Sequence, residues 1–167
     1  MQRVLIALLP GIALFLYLTG WGGIFNLCIA VVSGLIFEAL CLKWRNQPLA
    51  ASLRDYSATV TVVLFALCLP PLIPWWIVVI GTGSAILLAK HAYGGLGCNV
   101  FNPAMVGYAV VLVSYPLDLS SWLIQPDAFR ITFNHALEYV LSGGLSQSSQ
   151  YDSLTGATAL SLSLIHI

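Results

Sequence analysis

Charged residues are scarce in this chain of 167 residues, and their scarcity narrows the classes of protein to which it can belong. Only 7% of the residues are charged, whereas 59% are hydrophobic, and soluble domains carry about a quarter charged residues. A chain with so little polar surface would not stay dissolved. The six basic and six acidic residues also cancel. No basic excess exists to neutralise phosphates, which argues against a nucleic-acid partner.

The cysteines show no pattern of a disulfide, metal or redox site. The chain has four cysteines, and none is spaced as C-x-x-C. All four lie in or beside apolar segments, where a free cysteine behaves as a small hydrophobic residue. The sequence therefore predicts neither a disulfide nor a metal site at Cys28, Cys41, Cys68 and Cys98.

Long apolar runs are what the chain has in abundance. The second run has about the 20 residues that a spanning helix needs, and the first reaches that length with its small and polar neighbours. The last three are short, and two of them are bounded by prolines, as in helices that line transporter sites, although tilted helices joined by proline-rich turns explain them equally well. The pattern predicts an all-α membrane protein with about five transmembrane helices, at Val4–Tyr17, Ile24–Leu42, Ala58–Leu69, Trp75–Ala89 and Ala104–Tyr115.

The basic residues predict the orientation of these helices. Arg3 precedes the first run, and Lys43, Arg45 and Arg54 follow the second. Because basic loops stay on the cytoplasmic side, the N-terminus is predicted to be inside. Residues 1–116 then form a transmembrane half-domain, and residues 117–160 form an outer-face segment.

The predicted outer-face segment fits this orientation in two ways. It contains a single basic residue, Arg130, and tryptophans mark each predicted outer boundary, as in an aromatic belt. Within the segment, the apolar spacing of Asp127–Leu141 predicts a short amphipathic helix. The stretch 142–150, rich in Gly, Ser and Gln, predicts a loop. The boundary tryptophans are Trp21, Trp75, Trp76 and Trp122.

The sharpest motif follows that loop and runs from Asp152 to Thr158 as Asp-Ser-Leu-Thr-Gly-Ala-Thr. Gly156 and Ala157 leave the hydroxyl of Thr158 sterically open to a modifying enzyme. The carboxylate of Asp152 is placed to help hold a metal–phosphate substrate during such a transfer. The spacing alone favours a turn with a threonine that caps the next helix.

Several blocks of sequence resemble the RnfD family, the flavin-carrying membrane subunits of the Rnf-type electron transport complex. The motif Asp152–Thr158 matches the D-x-x-[S/T]-G-A-T pattern at which a flavin transferase links FMN through its phosphate to the last threonine. Tyr93–Tyr108, Pro70–Trp76 and Leu53–Ala58 resemble further blocks of that family, in the same order and at similar spacing. The corresponding subunit of the sodium-pumping NADH:quinone oxidoreductase is related but resembles these blocks less closely.

The resemblance implies a membrane redox subunit of an ion-translocating ferredoxin/NAD oxidoreductase complex in the bacterial inner membrane. FMN would be held covalently on Thr158 at the periplasmic face, with Asp152, Thr155, Gly156 and Ala157 completing the attachment motif. Riboflavin as a second flavin, and Na⁺ or H⁺ as the ion, are left open. The implied partners are the other subunits of the complex, the flavin transferase and membrane lipid.

The length of the chain departs from the family pattern. Members run to about twice this length and carry a second set of spans, related to the first in a channel-like inverted-repeat fold. We therefore expect this chain to be one half of that fold, without independent activity. Residues 161–167, ending Ser163-Leu-Ile-His-Ile167, resemble adaptor-derived sequence and are expected to be a non-native tail.

Two further features are candidates for binding. Glu38 lies inside the second run, where an acid is by default a functional candidate, here for an ion path. Its proximity to Lys43 equally suits a side chain that snorkels or pairs at the interface. A glycine-rich cytoplasmic-side loop before Pro103 offers backbone amides and a helix dipole to an anion or a flavin. Glycine for close helix approach is an equal alternative. The candidates in this loop are Gly94, Gly95, Gly97, Asn99 and Asn102.

The remaining polar residues near the predicted inner ends are assigned structural roles. Asp55 and Ser57 are predicted to cap the third helix, and Lys90 and His91 to mark the membrane interface. No side chain in the sequence is predicted to be catalytic. The main alternative to a flavoprotein subunit is a channel- or transporter-like subunit without a redox role, since short broken helices and one buried acid suit that class too.

Overall fold

The computed structural model describes residues 1–48, 54–94, 99–123, 132–143 and 155–156. The helices are α1 (Gln2–Trp44), α2 (Ser57–Leu67), α3 (Trp75–Ser84), α4 (Pro103–Ser114), α5 (Pro116–Ser120) and α6 (Phe133–Ser142). A π-helical segment, Ala85–His91, continues α3 without a break. Two short strands, β1 (Trp122–Leu123) and β2 (Thr155–Gly156), pair antiparallel. The described chain is therefore helical apart from this strand pair.

Helix α1 contains both of the first two predicted runs and breaks between them at Gly20. The backbone of Gly20 has φ 61° and ψ −144°, a conformation that residues with a Cβ rarely adopt. Each part of α1 is close to the roughly 20 residues that a spanning helix needs. The two predicted runs thus form two helical parts of α1, joined at the break at Gly20.

Three further apolar helices agree with the remaining runs to within two residues, but they are short. By length and composition, α1 is long and apolar enough to cross a membrane. The helices Ser57–Leu67, Trp75–His91 and Pro103–Ser114 are apolar and shorter. The count of five spans stays a prediction.

The core forms where α2, α3 and α4 pack together against the second part of α1. Small residues let these helices approach closely. A Cβ on Gly107 of α4 would overlap the backbone carbonyl of Gly81 in α3, and one on Gly34 of α1 would overlap the side chain of Val62 in α2. The largest completely buried side chains include Val62, Phe65, Leu69, Leu72, Ile73, Ile77, Val78, Ile86 and Val111.

Aromatic contacts attach α6 to one end of this bundle. Phe133 packs edge-on against Trp21 with ring centroids 5.3 Å apart, and it also contacts Phe25. At the other end of α6, the left-handed Gly143 leaves no room for a Cβ against the ring of Trp76. The amphipathic helix predicted at Asp127–Leu141 is confirmed over Phe133–Ser142, with Ala136 and Val140 on its buried face.

Candidate functional site

A buried carboxylate lies in the last third of α1. Glu38 is only 3% exposed, although nearly all of its helical neighbours are apolar. An ionised side chain taken out of water needs partners, because its desolvation is otherwise too costly. Its neighbours across the bundle supply them.

Two basic side chains share this one carboxylate. The Nζ of Lys90 donates to Oε1 of Glu38 at 2.7 Å, and the Nε2 of His91 lies 2.9 Å from Oε2. Lys90 also donates to the Oγ of Ser57 at 2.9 Å. The network therefore joins α1, the first residue of α2 and the end of the π-helical segment at a single point.

The π-helical segment explains how two consecutive residues reach the same carboxylate. Successive side chains of a π-helix are separated by a smaller rotation than those of an α-helix, because each turn holds more residues. Lys90 and His91 are the last two residues of Ala85–His91, so their side chains diverge less than they would on an α-helix. Such π-helical turns are rare and often occur at functional sites.

The structure changes or extends the roles predicted for three of these residues. Lys90 is 2% exposed and pairs with Glu38 inside the bundle, whereas the sequence predicted only a position at the membrane interface. Ser57 does not cap α2, because Tyr56 is the N-cap and no side chain makes a capping hydrogen bond there. Sequence reasoning offered Lys43 as the neighbour of Glu38 and did not identify Lys90, because the 52 residues that separate Glu38 from Lys90 give no periodic signal.

A cavity of about 430 Å³ lies beside this network, lined by Cys41, Trp44, Arg45, Leu87, His91 and Ala92. It lies at the end of the bundle that carries Lys43 and Arg45. Arg45 reaches across to the backbone carbonyl of His91 at 3.5 Å. The Nδ1 atom of His91 is buried and has no hydrogen-bond partner. His91, whose Nδ1 atom has no partner, therefore lines a cavity at the basic end of the bundle.

The predicted anion-binding loop is described only in part. Asn102 is the N-cap of α4, and its Oδ1 accepts a hydrogen bond from the amide of Ala104 at 3.0 Å. The Nδ2 of Asn99 donates to the carbonyl of Phe101 at 2.8 Å, and Gly94 has a left-handed φ of 106°. These contacts account for Asn102 as a helix cap. Gly95 and Gly97 lie outside the described residues.

The attachment motif is also described only in part. Thr155 and Gly156 form β2, in register with Leu123 and Trp122 of β1. This pairing ties the backbone of the motif to the chain that follows α4 and α5. Asp152, Ala157 and Thr158 lie outside the described residues, as does the tail 161–167.

Comparison with known proteins finds relatives over nearly the whole chain. The model of the NQR2, RnfD, RnfE family matches residues 1–165. The D subunit of the ion-translocating oxidoreductase complex of Salmonella paratyphi A is 54% identical over 123 residues, which cover 74% of this chain and 35% of that protein. The protein of the same name from Citrobacter koseri is 47% identical over 156 residues, covering 92% of this chain and 45% of that protein.

The chain spans less than half the length of these curated relatives. The match nevertheless runs through nearly all of its residues and contains the helices, the glycine-rich loop and the attachment motif described above. The chain therefore belongs to the NQR2, RnfD, RnfE family.

Proposed function

We propose that this chain is part of a membrane subunit of an ion-translocating oxidoreductase complex, and that this subunit carries FMN covalently on Thr158. The observation that carries the proposal is the motif Asp152–Thr158, which matches the D-x-x-[S/T]-G-A-T flavin-attachment pattern in every specified position. It occurs in a chain whose relatives are named as the D subunit of such a complex.

The residues of the motif suit a phosphoester bond to a flavin. The attachment point must be a hydroxyl that an enzyme can reach, and Thr158 follows two small residues, Gly156 and Ala157. The backbone of Thr155 and Gly156, which precede Thr158, is held by the pairing of β2 with β1. When bound, FMN would supply the electron transfer that no side chain of this protein can perform, while the protein positions it.

The proposal extends to the setting of the subunit. The apolar helices support insertion in the bacterial inner membrane, with lipid around them and other subunits of the complex as partners. In the proposed orientation, the end with Lys43, Arg45 and the cavity is cytoplasmic, and Thr158 is periplasmic. A flavin transferase would be required for maturation. Glu38 is proposed as part of the route of the translocated ion.

The experiment uses the full-length protein expressed together with a flavin transferase. The membrane fraction is separated on a denaturing gel and examined for flavin fluorescence, and fragment-ion mass spectrometry locates the modification. We expect a fluorescent band and an FMN-phosphate mass increment on Thr158. Thr158→Ala is expected to abolish the fluorescence without changing the amount of protein in the membrane.

A matched control replaces a threonine outside the motif. Thr132→Ala removes the hydroxyl of the residue that precedes α6 and is expected to leave the flavin signal unchanged. Fluorescence retained in Thr158→Ala, or a dark wild-type band beside an active transferase, would contradict the attachment.

A channel-like subunit without a redox role is the second candidate. The network around Glu38 favours it, because ionisable residues inside a membrane commonly mark ion pathways. A dark wild-type band, together with ion flux that depends on Glu38, would favour this candidate over the flavoprotein.

A further inference from the structure

We propose that His91 carries protons between the cavity at the basic end and the buried carboxylate of Glu38. The inference rests on the proposed insertion of the chain in a membrane, but it uses no property of the flavin. It assigns a role to a residue that the sequence placed at an interface.

The two nitrogens of the His91 imidazole have different surroundings. Its Nε2 lies 2.9 Å from Oε2 of Glu38, and a carboxylate accepts hydrogen bonds, so Nε2 carries the hydrogen. Its Nδ1 is then an acceptor, and it is buried without a partner. The side chain is 9% exposed and the Glu38 side chain only 4%. His91 also lines the cavity, which Glu38 does not, so the imidazole stands between the cavity and the carboxylate and has one nitrogen without a partner.

The surrounding groups belong to three elements. Glu38, Cys41 and Arg45 face this region from α1, Lys90 from the π-helical segment and Ser57 from the start of α2. Glu38 is the only carboxylate among these groups, and the charge of Lys90 already balances it. An imidazolium beside Glu38 would give this group a net positive charge, and transfer of its proton to Glu38 keeps that net charge while Lys90 becomes the unpaired cation. The hydrogen bond between Nε2 of His91 and Oε2 of Glu38 provides a direct path for this transfer.

The transfer conserves protons and charge on the ring. A proton from the cavity binds Nδ1, and the proton on Nε2 passes to Oε2 of Glu38. The ring is left neutral with its hydrogen on Nδ1, and Glu38 becomes a neutral carboxylic acid. The ammonium of Lys90 then loses its ionic partner, so proton uptake weakens the contact between α1 and the π-helical segment. Histidine is suited to this role because its two nitrogens can bind and release protons near neutral pH.

The local chemistry suits a proton better than a metal cation. Hard cations take several oxygen ligands. Among the described residues of this network, only Glu38 and Ser57 contribute side-chain oxygens, and both Glu38 oxygens are already engaged. The other two groups are nitrogen donors.

Time-resolved infrared spectroscopy of the full-length protein can follow the protonation of Glu38 after a rapid drop in pH. The carbonyl stretching band of the protonated acid is identified by its absence in Glu38→Gln. We expect His91→Ala to slow the appearance of this band on the order of 10- to 100-fold, the size of effect typical of a positioned proton-transfer group. Its final amplitude should be retained. Imidazole added to the solution should restore the rate, because the cavity is large enough to admit it.

The variant His91→Gln controls for a loss of folding at the site. Its side-chain amide can still donate to Glu38 but cannot carry a proton, so the rate should also fall in this variant. His135→Ala removes an exposed histidine of α6 and should leave the rate unchanged. A wild-type rate in His91→Gln would reduce His91 to a hydrogen-bond donor and overturn the proposal, as would the lack of any band that depends on Glu38.

Flavin fluorescence measured on the same samples separates the two proposals. Slower protonation of Glu38 in the His91 variants, with the flavin signal retained, supports the role of His91. A wild-type protein without flavin would contradict the attachment at Thr158 and leave the infrared result as a separate test of His91.

Discussion

The two ends of the second part of α1, from Trp21 to Trp44, are fixed to the rest of the bundle by different chemistry. At one end, Glu38 forms an ion pair with Lys90 and a hydrogen bond with His91, so the contacts join side chain to side chain and include buried charges. At the other end, the Nδ2 of Asn26 donates to the carbonyl oxygens of Pro70 at 2.7 Å and Pro71 at 3.2 Å. That end is neutral and depends on the backbone of the proline-rich loop.

The difference shows how each end can respond to change. The charged end is stable only as a set, because removing one member leaves another charge buried without a partner. A proton delivered to Glu38 would likewise leave the buried charge of Lys90 without a partner, and no mutation would be needed. The neutral end contains no titratable group in these contacts, and its geometry is fixed by close approach. We therefore infer that the charged end is the part of the described bundle suited to switching, and the neutral end is suited to remaining fixed.

Breaking the charged end is expected to have the largest effect on stability. Lys90→Met leaves the carboxylate of Glu38 buried without its ammonium partner, which should cost about 3–5 kcal/mol in the free energy of unfolding. The measurement is unfolding of the full-length protein in mixed detergent micelles, followed by tryptophan fluorescence. The double variant Glu38→Met, Lys90→Met should recover most of the loss, because no unpaired charge remains. A double variant as unstable as the single one would show that the charges stabilise the bundle in their own right.

Crowding the neutral end is expected to have an intermediate effect. A Cβ on Gly22 would overlap the carbonyl group of Pro71, and backbone cannot move aside as a flexible side chain can. Gly22→Ala should therefore destabilise the protein by about 1–3 kcal/mol in the same unfolding measurement. Gly11→Ala is the matched control in the same helix, since nothing lies within 4 Å of its added Cβ. Equal effects in the two variants would mean that helix propensity, and not the contact with the loop, decides the result.

The helices were predictable from the sequence because their signal is local. Apolar runs bounded by Pro and Gly predicted α2 and α4 to within two residues. Pro103 after Asn102 is typical of a helix start, and α4 begins there. The gap between the first two predicted runs placed a break in α1 between Tyr17 and Ile24, but not at a particular residue. Gly20 stands among other small residues, and only its left-handed backbone conformation distinguishes it from Gly22 and Gly23.

The candidate site was predictable only in part, because its contacts are distant in sequence. The sequence marked Glu38 as an acid in an apolar run, but its partner Lys90 lies 52 residues away. The π-helical segment that brings Lys90 and His91 to the same carboxylate has no compositional signature. The predicted attachment motif is the opposite case, since Asp152 and Thr158 lie within one short stretch that can be recognised in the sequence alone; its role in holding a flavin stays a prediction.

The smallest effect is expected midway between the two ends. The hydroxyls of Ser33 in α1 and Thr82 in α3 lie 2.9 Å apart, and each also bonds to a carbonyl of its own helix. Each hydroxyl keeps a partner when the other is lost. A double-mutant cycle of Ser33→Ala and Thr82→Val, measured by unfolding, should therefore give a coupling free energy of only about 0.6 kcal/mol. The exposed Ser120→Ala, which loses a similar bond within its own helix, provides the baseline. A coupling as large as the effect of Lys90→Met would mean that the middle of the bundle, and not its charged end, contributes most to holding α1 against α3.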